Sequence, residues 1–316
     1  MSSTLADTAG EGPRSTAAPT AAKGLTETLL TLVRREFWEH RALWLAPLVV
    51  TALLALCAAI GRIHLDVDNS AHVHSEAQRV AVFTIIQWVL AMPLYLVAMF
   101  VAAFYLLDCL YAERKDRSIL FWKSLPVSDG LTVSAKMLVA LVVVPLGVFA
   151  LALVANLLFT AILGVRALTG SLPPVFTWNT YEWFRTEIVM LLVTVMAVLW
   201  YAPLAGYLLL VSAWVRRGPI LWATLPLALG PVLEWVAFGT RHLMDIINYR
   251  INGIWWLLGV HNTHIITKHE VYPVGTALEV LNFRGLLTSI DLWLGLAVTV
   301  ALVYAAIRIR RYRDDT

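Results

Sequence analysis

The sequence predicts an all-α integral membrane protein of six transmembrane helices, with an amphipathic helix at the interface ahead of the first and a long outer segment before the last. Three observations carry this. Of the 316 residues, 59% are hydrophobic and only 14% charged, with a mean hydropathy of +0.74, whereas a soluble globular chain is about half apolar and about a quarter charged. Six stretches reach the roughly 20 mainly apolar residues that a bilayer requires. Lys and Arg collect on alternate sides of those stretches. This composition excludes an ordinary soluble enzyme, and its aliphatic and aromatic content excludes disorder of the whole chain. A net charge of +3 gives no reason to expect nucleic acid as a partner.

Residues 1–23 are Ser, Thr, Ala, Pro and Gly with scattered charge and predict a disordered tail; residues 24–316 form one membrane domain. In Leu25 to Arg41, the residues Leu25, Leu29, Leu32, Val33 and Phe37 recur at helical spacing, while Arg34, Arg35, Glu39 and Arg41 take the other side. Such a basic amphipathic helix lies flat in the inner interface; the alternative is a cytoplasmic extension of the first span. The spans are Ala42 to Ile60, Val80 to Leu107, Met137 to Val165, Ile188 to Val215, Ile220 to Phe238 and Leu286 to Ile307. About 40 polar or amphipathic residues precede the first, so no cleaved signal peptide is expected.

Orientation follows the positive-inside rule. With the N-terminus cytoplasmic, 16 of the 24 basic residues fall in inner segments, and the remaining eight are balanced by outer acids. Both termini are therefore expected inside. Trp44, Trp214, Trp222, Trp235 and Trp293 fall near the proposed boundaries, where amphipathic rings prefer to sit. Pro219 and Pro231, with Gly230, make span five the one expected to kink.

Two loops carry further information. The inner loop, 108–136, is dense in charge of both signs yet holds an apolar stripe of Ile119, Leu120, Trp122 and Leu125, ends at Pro126, and has turn and cap residues at Ser128, Asp129 and Gly130. It reads either as a short amphipathic helix for docking a soluble partner or as a solvated connector with positive-inside charge. The outer segment, 239–285, contains the apolar run Ile251 to Val260. That run is too short to span, and suits a re-entrant or interfacial piece or a patch covering the bundle.

Little catalytic chemistry is visible. The residues hold no phosphate-binding loop, no zinc-protease helix, no nucleophile elbow and no C-x-x-C pair. Cys57 and Cys109 both border or enter apolar runs, which suits neither a disulfide framework nor a thiolate site. His64, His72, His74, His261, His264 and His269 collect in outer segments, but without a third ligand at fixed spacing no metal centre is expected. Among carboxylates in the spans, Glu234 is the candidate for a polar cavity or for pairing with Arg241, whereas Asp108 and Asp291 lie near boundaries.

The segment Glu113 to Ser128, ERKDRSILFWKSLPVS, resembles the signature of ABC-2 type transporter permeases: a charged start, a Gly-Thr-Leu-like step, an apolar helix and a Leu/Thr-Pro-Ile/Val-Ser close. Glu113 and Arg114 fall on the charged start, Ser118 and Ile119 on the Thr-Leu pair, and Pro126 to Ser128 on the close; Arg117 stands where that family usually has glycine. Leu25 to Arg41 likewise looks like that family's elbow helix. The resemblance implies the membrane subunit of a type V-like ABC exporter in a bacterial inner membrane. It further implies a second permease copy as homodimer partner, and ATP and Mg held by a separate soluble ATPase subunit. It makes 108–136 a coupling helix in which Glu113, Arg114, Asp116, Arg117 and Ser118 meet the ATPase, with Arg35 and Glu36 of the elbow as a second contact. Phe121, Trp122, Leu125 and Pro126 pack that helix against the spans.

Overall fold

The computed structural model describes residues 24–60, 76–119, 124, 127–169, 180–258, 266–267, 270–271 and 281–312. Its elements are α1 (Leu25–Glu39), α2 (Ala42–Ile60), α3 (Glu76–Lys115), α4 (Asp129–Leu138), a π turn (Val139–Val143), α5 (Val144–Leu168), α6 (Thr180–Trp214), α7 (Pro219–Phe238), α8 (His242–Leu257), α9 (Phe283–Thr288) and α10 (Ile290–Tyr312). Two strands of two residues each, β1 (Ile266–Thr267) and β2 (Glu270–Val271), pair antiparallel with Ile266 opposite Val271.

Six helices are long and apolar enough to cross a membrane: Ala42–Ile60, Thr84–Lys115, Asp129–Arg166, Thr180–Trp214, Pro219–Phe238 and Ile290–Tyr312. Each contains most of one predicted span. The main difference is that α3 runs on from Leu107 to Lys115 and the third span begins at Asp129. Glu, Arg and Lys are good helix formers, so the helix outlasts its apolar run, and Ser128 starts the next by accepting the Leu131 N–H on its hydroxyl at 3.3 Å. The π turn lies just before Pro145. Proline lacks an N–H and its ring crowds the carbonyl four residues back, a conflict that a widened turn accommodates.

The core is the packing of α3, α5 and α6, with α2 laid on α3 and α5, and α10 along α6. Small buried residues (Ala91, Ala98, Ala140, Ala152, Ala205) let the backbones approach. At Gly206 the helices approach closely: a Cβ there would stand 3.3 Å from Leu302 Cβ. By contrast α7 is peripheral, with Leu233, Val236 and Phe238 exposed.

Because Tyr95 bonds Thr194 and the Leu110 and Tyr111 N–H groups bond Ser212, α3 and α6 run parallel. Arg310 meets Glu113 at the same end, which also carries Arg114 and Lys115 and receives α1. We refer to it as the basic end.

Candidate functional site

At the basic end four elements each direct one stripe of polar side chains inward. On α3, Tyr105, Cys109 and Glu113 are spaced four apart and so share a face. On α4, Asp129 and Lys136 are seven apart, again one face. Glu36 follows Leu32 by four on α1, and Arg310 follows Ala306 by four on α10, so the charged groups occupy positions that continue buried apolar stripes.

The stripes converge on Lys136, which is 1% exposed. Its ammonium donates to Glu36 Oε1 at 2.8 Å and lies 3.1 Å from Glu113 Oε1. The second Glu113 oxygen accepts from the Arg310 guanidinium, whose Nε reaches Asp129 Oδ1 at 3.0 Å. The Tyr105 hydroxyl donates to Glu36 Oε2 at 2.9 Å. Arg35 closes the rim, with Nη2 3.3 Å from Glu36, 3.4 Å from Glu113 and Nε 3.0 Å from Glu39. Three cations (Arg35, Lys136, Arg310) thus face three inner carboxylates (Glu36, Glu113, Asp129). That balance, with each carboxylate hydrogen-bonded, is what allows charges out of water at all.

His40 borders the network between α1 and α2, edge-on to Tyr105 at 4.8 Å between ring centres and 3.6 Å from Glu36 Oε2. Burial holds its imidazole below the usual value, although Glu36 pulls the other way.

Arg114 makes a separate tie. Its guanidinium donates to the carbonyls of Ser212 and, at 2.9 Å, Val215, satisfying the carbonyls at the end of α6. Chemically the assembly is a clamp. Both ends of the loop that joins α3 to α4 are fastened: Glu113 and Arg114 at one end, Asp129 and Lys136 at the other. The fastenings lead to α1, α6 and α10.

Two of the residues expected at the ATPase contact lie inside the network. Glu113 and Glu36 are buried, and their oxygens are taken up by Lys136, Arg310, Arg35 and Tyr105. Neither presents a free carboxylate at the surface of the chain. The two contacts expected to be separate, at the loop and at the elbow, form one network instead. Of the other loop residues, Asp116 and Arg117 are exposed and the Ser118 hydroxyl bonds the Glu113 carbonyl at 3.3 Å. Arg117 has φ 56°, the left-handed conformation that glycine tolerates best, where the resembled family has glycine. Phe121, Trp122, Leu125 and Pro126 lie outside the described residues.

Glu234 belongs elsewhere. It accepts from Thr240 Oγ1 at 2.7 Å and from the N–H groups of His242 and Leu243 at 2.9 and 2.7 Å. The carboxylate therefore caps the start of α8 across the left-handed turn at Gly239. Among the described residues it forms no ion pair with Arg241, one of the two roles the sequence left open for it. The run from Ile251 becomes the last turns of α8, held to α6 by bonds from Trp200 Nε1 to the Arg250 carbonyl and from the Tyr201 hydroxyl to the Ile251 carbonyl, both 2.8 Å. The six outer histidines lie outside the described residues, among which no cluster suited to a metal ion occurs.

Lys136, Arg310, Tyr105 and His40 complete the network without having been singled out by the sequence, in which Asp129 reads only as a turn and cap residue. Lys136 reads as one more loop charge and Arg310 as one more terminal charge. The available signal was phase: Lys136 falls in register with Val133 and Ala140, and Arg310 with Ala306 and Val303.

No family model matches the chain, and no characterised protein and no solved structure matches it. The likeness of Glu113–Ser128 to ABC-2 permeases rests on those residues and on the order of the spans.

Proposed function

We propose that the chain is the membrane-spanning subunit of an ATP-driven exporter, its energy supplied by a separate soluble ATPase subunit and its pathway completed by a second copy of the chain. The observation that carries this reading is the double anchoring of the inner loop. A loop fastened at both ends by buried charge moves as a lever. A push on it passes through Lys136 and Glu36 to α1, through Arg310 to α10, and through Arg114 to α6. Nucleotide-driven closure of a docked partner is such a push. Asp116 and Arg117, exposed at the start of the loop, supply charges for the contact, and the elbow role falls to α1. The signature-like segment supports the same assignment, and the positive-inside pattern supports a cytoplasmic basic end with both termini on that side; a bacterial inner membrane is what the resemblance implies. Ile251–Leu257 then belongs to the outer leaflet.

The test is Asp116→Lys combined with Arg117→Glu, which reverses two exposed charges and leaves the buried network intact. Loss of ATPase-subunit binding and of stimulated ATP hydrolysis is expected. Survival of both in a folded variant sinks the reading.

A further inference from the structure

A second buried polar group lies away from the basic end and takes no part in the clamp. Glu187 on α6 is 4% exposed and Asn156 on α5 is 1% exposed. The Asn156 amide nitrogen donates to Glu187 Oε1 at 2.9 Å. The other oxygens of the pair, Glu187 Oε2 and Asn156 Oδ1, have no hydrogen-bond partner among the described residues. Both are acceptors, so they cannot satisfy each other. A single proton changes this, because a carboxylic acid is a donor as well as an acceptor, and an acid and an amide can pair through two hydrogen bonds where two lone acceptors cannot. Without that proton, two buried acceptors stay unpaired and a full charge sits in an apolar bundle, each a cost of kcal/mol order.

Among the described residues Glu187 has no ion pair. α5 presents the neutral Asn156. From α3 comes Tyr95, its hydroxyl 2.8 Å from Thr194 Oγ1. On its own helix, Glu182 and Arg185 project from other faces. The charges that α8 and α10 bring to that half of the bundle, Arg250 and Asp291, are engaged by Trp200 and Tyr249. Gln87 of α3, 1% exposed and with both amide atoms unpartnered among the described residues, sits at about the same depth, as the Tyr95–Thr194 pairing of the parallel helices sets it.

We propose that Glu187 and Asn156 form a proton-binding site within the membrane domain, in which a proton on Glu187 locks α5 to α6. Intramembrane carboxyls are rare and functional by default, and this one suits a proton: among the described residues it has one hydrogen-bond donor, no ion pair, and an oxygen left without a partner. Raising the pH until Glu187 ionises removes the lock and leaves the α5–α6 contact weaker. The site does not depend on the exporter reading.

Infrared difference spectroscopy of the purified full chain, Glu187→Gln against wild type at neutral pH, tests it. A protonated carboxylic acid band in the wild type that vanishes in Glu187→Gln is expected, with little change in melting temperature, because glutamine supplies the donor to Asn156. Asn156→Leu, which keeps the acid but deletes its partner, should shift that band toward a free acid. Absence of a protonated band assignable to Glu187, or a band that Asn156→Leu leaves in place, overturns the proposal.

Discussion

The Lys136 ammonium stands 2.8 Å from the Glu36 carboxylate although the residues lie 100 apart in sequence. The same nitrogen reaches Glu113 at 3.1 Å, so one buried cation joins the helix ahead of the first span to both ends of the inner loop. Removing it leaves two buried carboxylates short of compensation. Lys136→Met should destabilise the protein by about 3–5 kcal/mol, read by thermal unfolding in mild detergent. Lys136→Met with Glu36→Gln should recover part of that loss, since the second change removes one stranded charge. A single variant as stable as wild type contradicts the clamp.

His40 makes the clamp sensitive to acid. Burial holds its proton affinity in the folded chain below the ordinary value of 6.5. The unfolded chain therefore takes up the proton first as pH falls through that value, and stability is lost on the acid side and complete above it. The melting temperature should drop between about pH 7.5 and about pH 5.5, and His40→Gln should flatten that part of the profile. An unchanged profile in His40→Gln assigns the acid loss to other groups.

Arg117 holds a left-handed backbone at φ 56° and is exposed. A side chain in that conformation is disfavoured by about 1–2 kcal/mol, part of which glycine returns through the greater freedom of the unfolded chain. Arg117→Gly should raise stability by about 1 kcal/mol, measured by the same melts. Destabilisation would mean that the arginine side chain holds the turn.

Glu234 stitches α7 to α8 through Thr240 and two backbone N–H groups. Glu234→Gln should speed amide hydrogen exchange at His242 and Leu243 and leave the clamp helices unaffected. Unchanged exchange at those two amides argues against the cap.

The spans were legible because a bilayer demands a composition as well as a length: Ala42–Ile60 and Phe238 mark the same limits in the sequence and in the structure. The polar interior was not legible by the same route. Glu187 lies one residue outside the apolar run that defines span four, and only the start of α6 at Thr180 puts it inside a helix long enough to cross. Lys136 and Arg310 were hidden by the positive-inside count, which treats every inner cation as solvated. α4 and the end of α10 carry them inward together, and that convergence depends on helix packing, which a local pattern does not contain. Glu113 was found for its position in a motif, but its partners come from three other elements.

The exporter proposal stands or falls with a soluble ATPase docked at the inner loop. Affinity isolation of the tagged full chain from mild-detergent membranes of its own host, followed by mass spectrometry, tests it most directly. A stoichiometric soluble protein carrying a phosphate-binding loop is expected, retained by wild type and lost from the Asp116→Lys, Arg117→Glu variant. A chain that is isolated alone in several detergents with ATP present would contradict it.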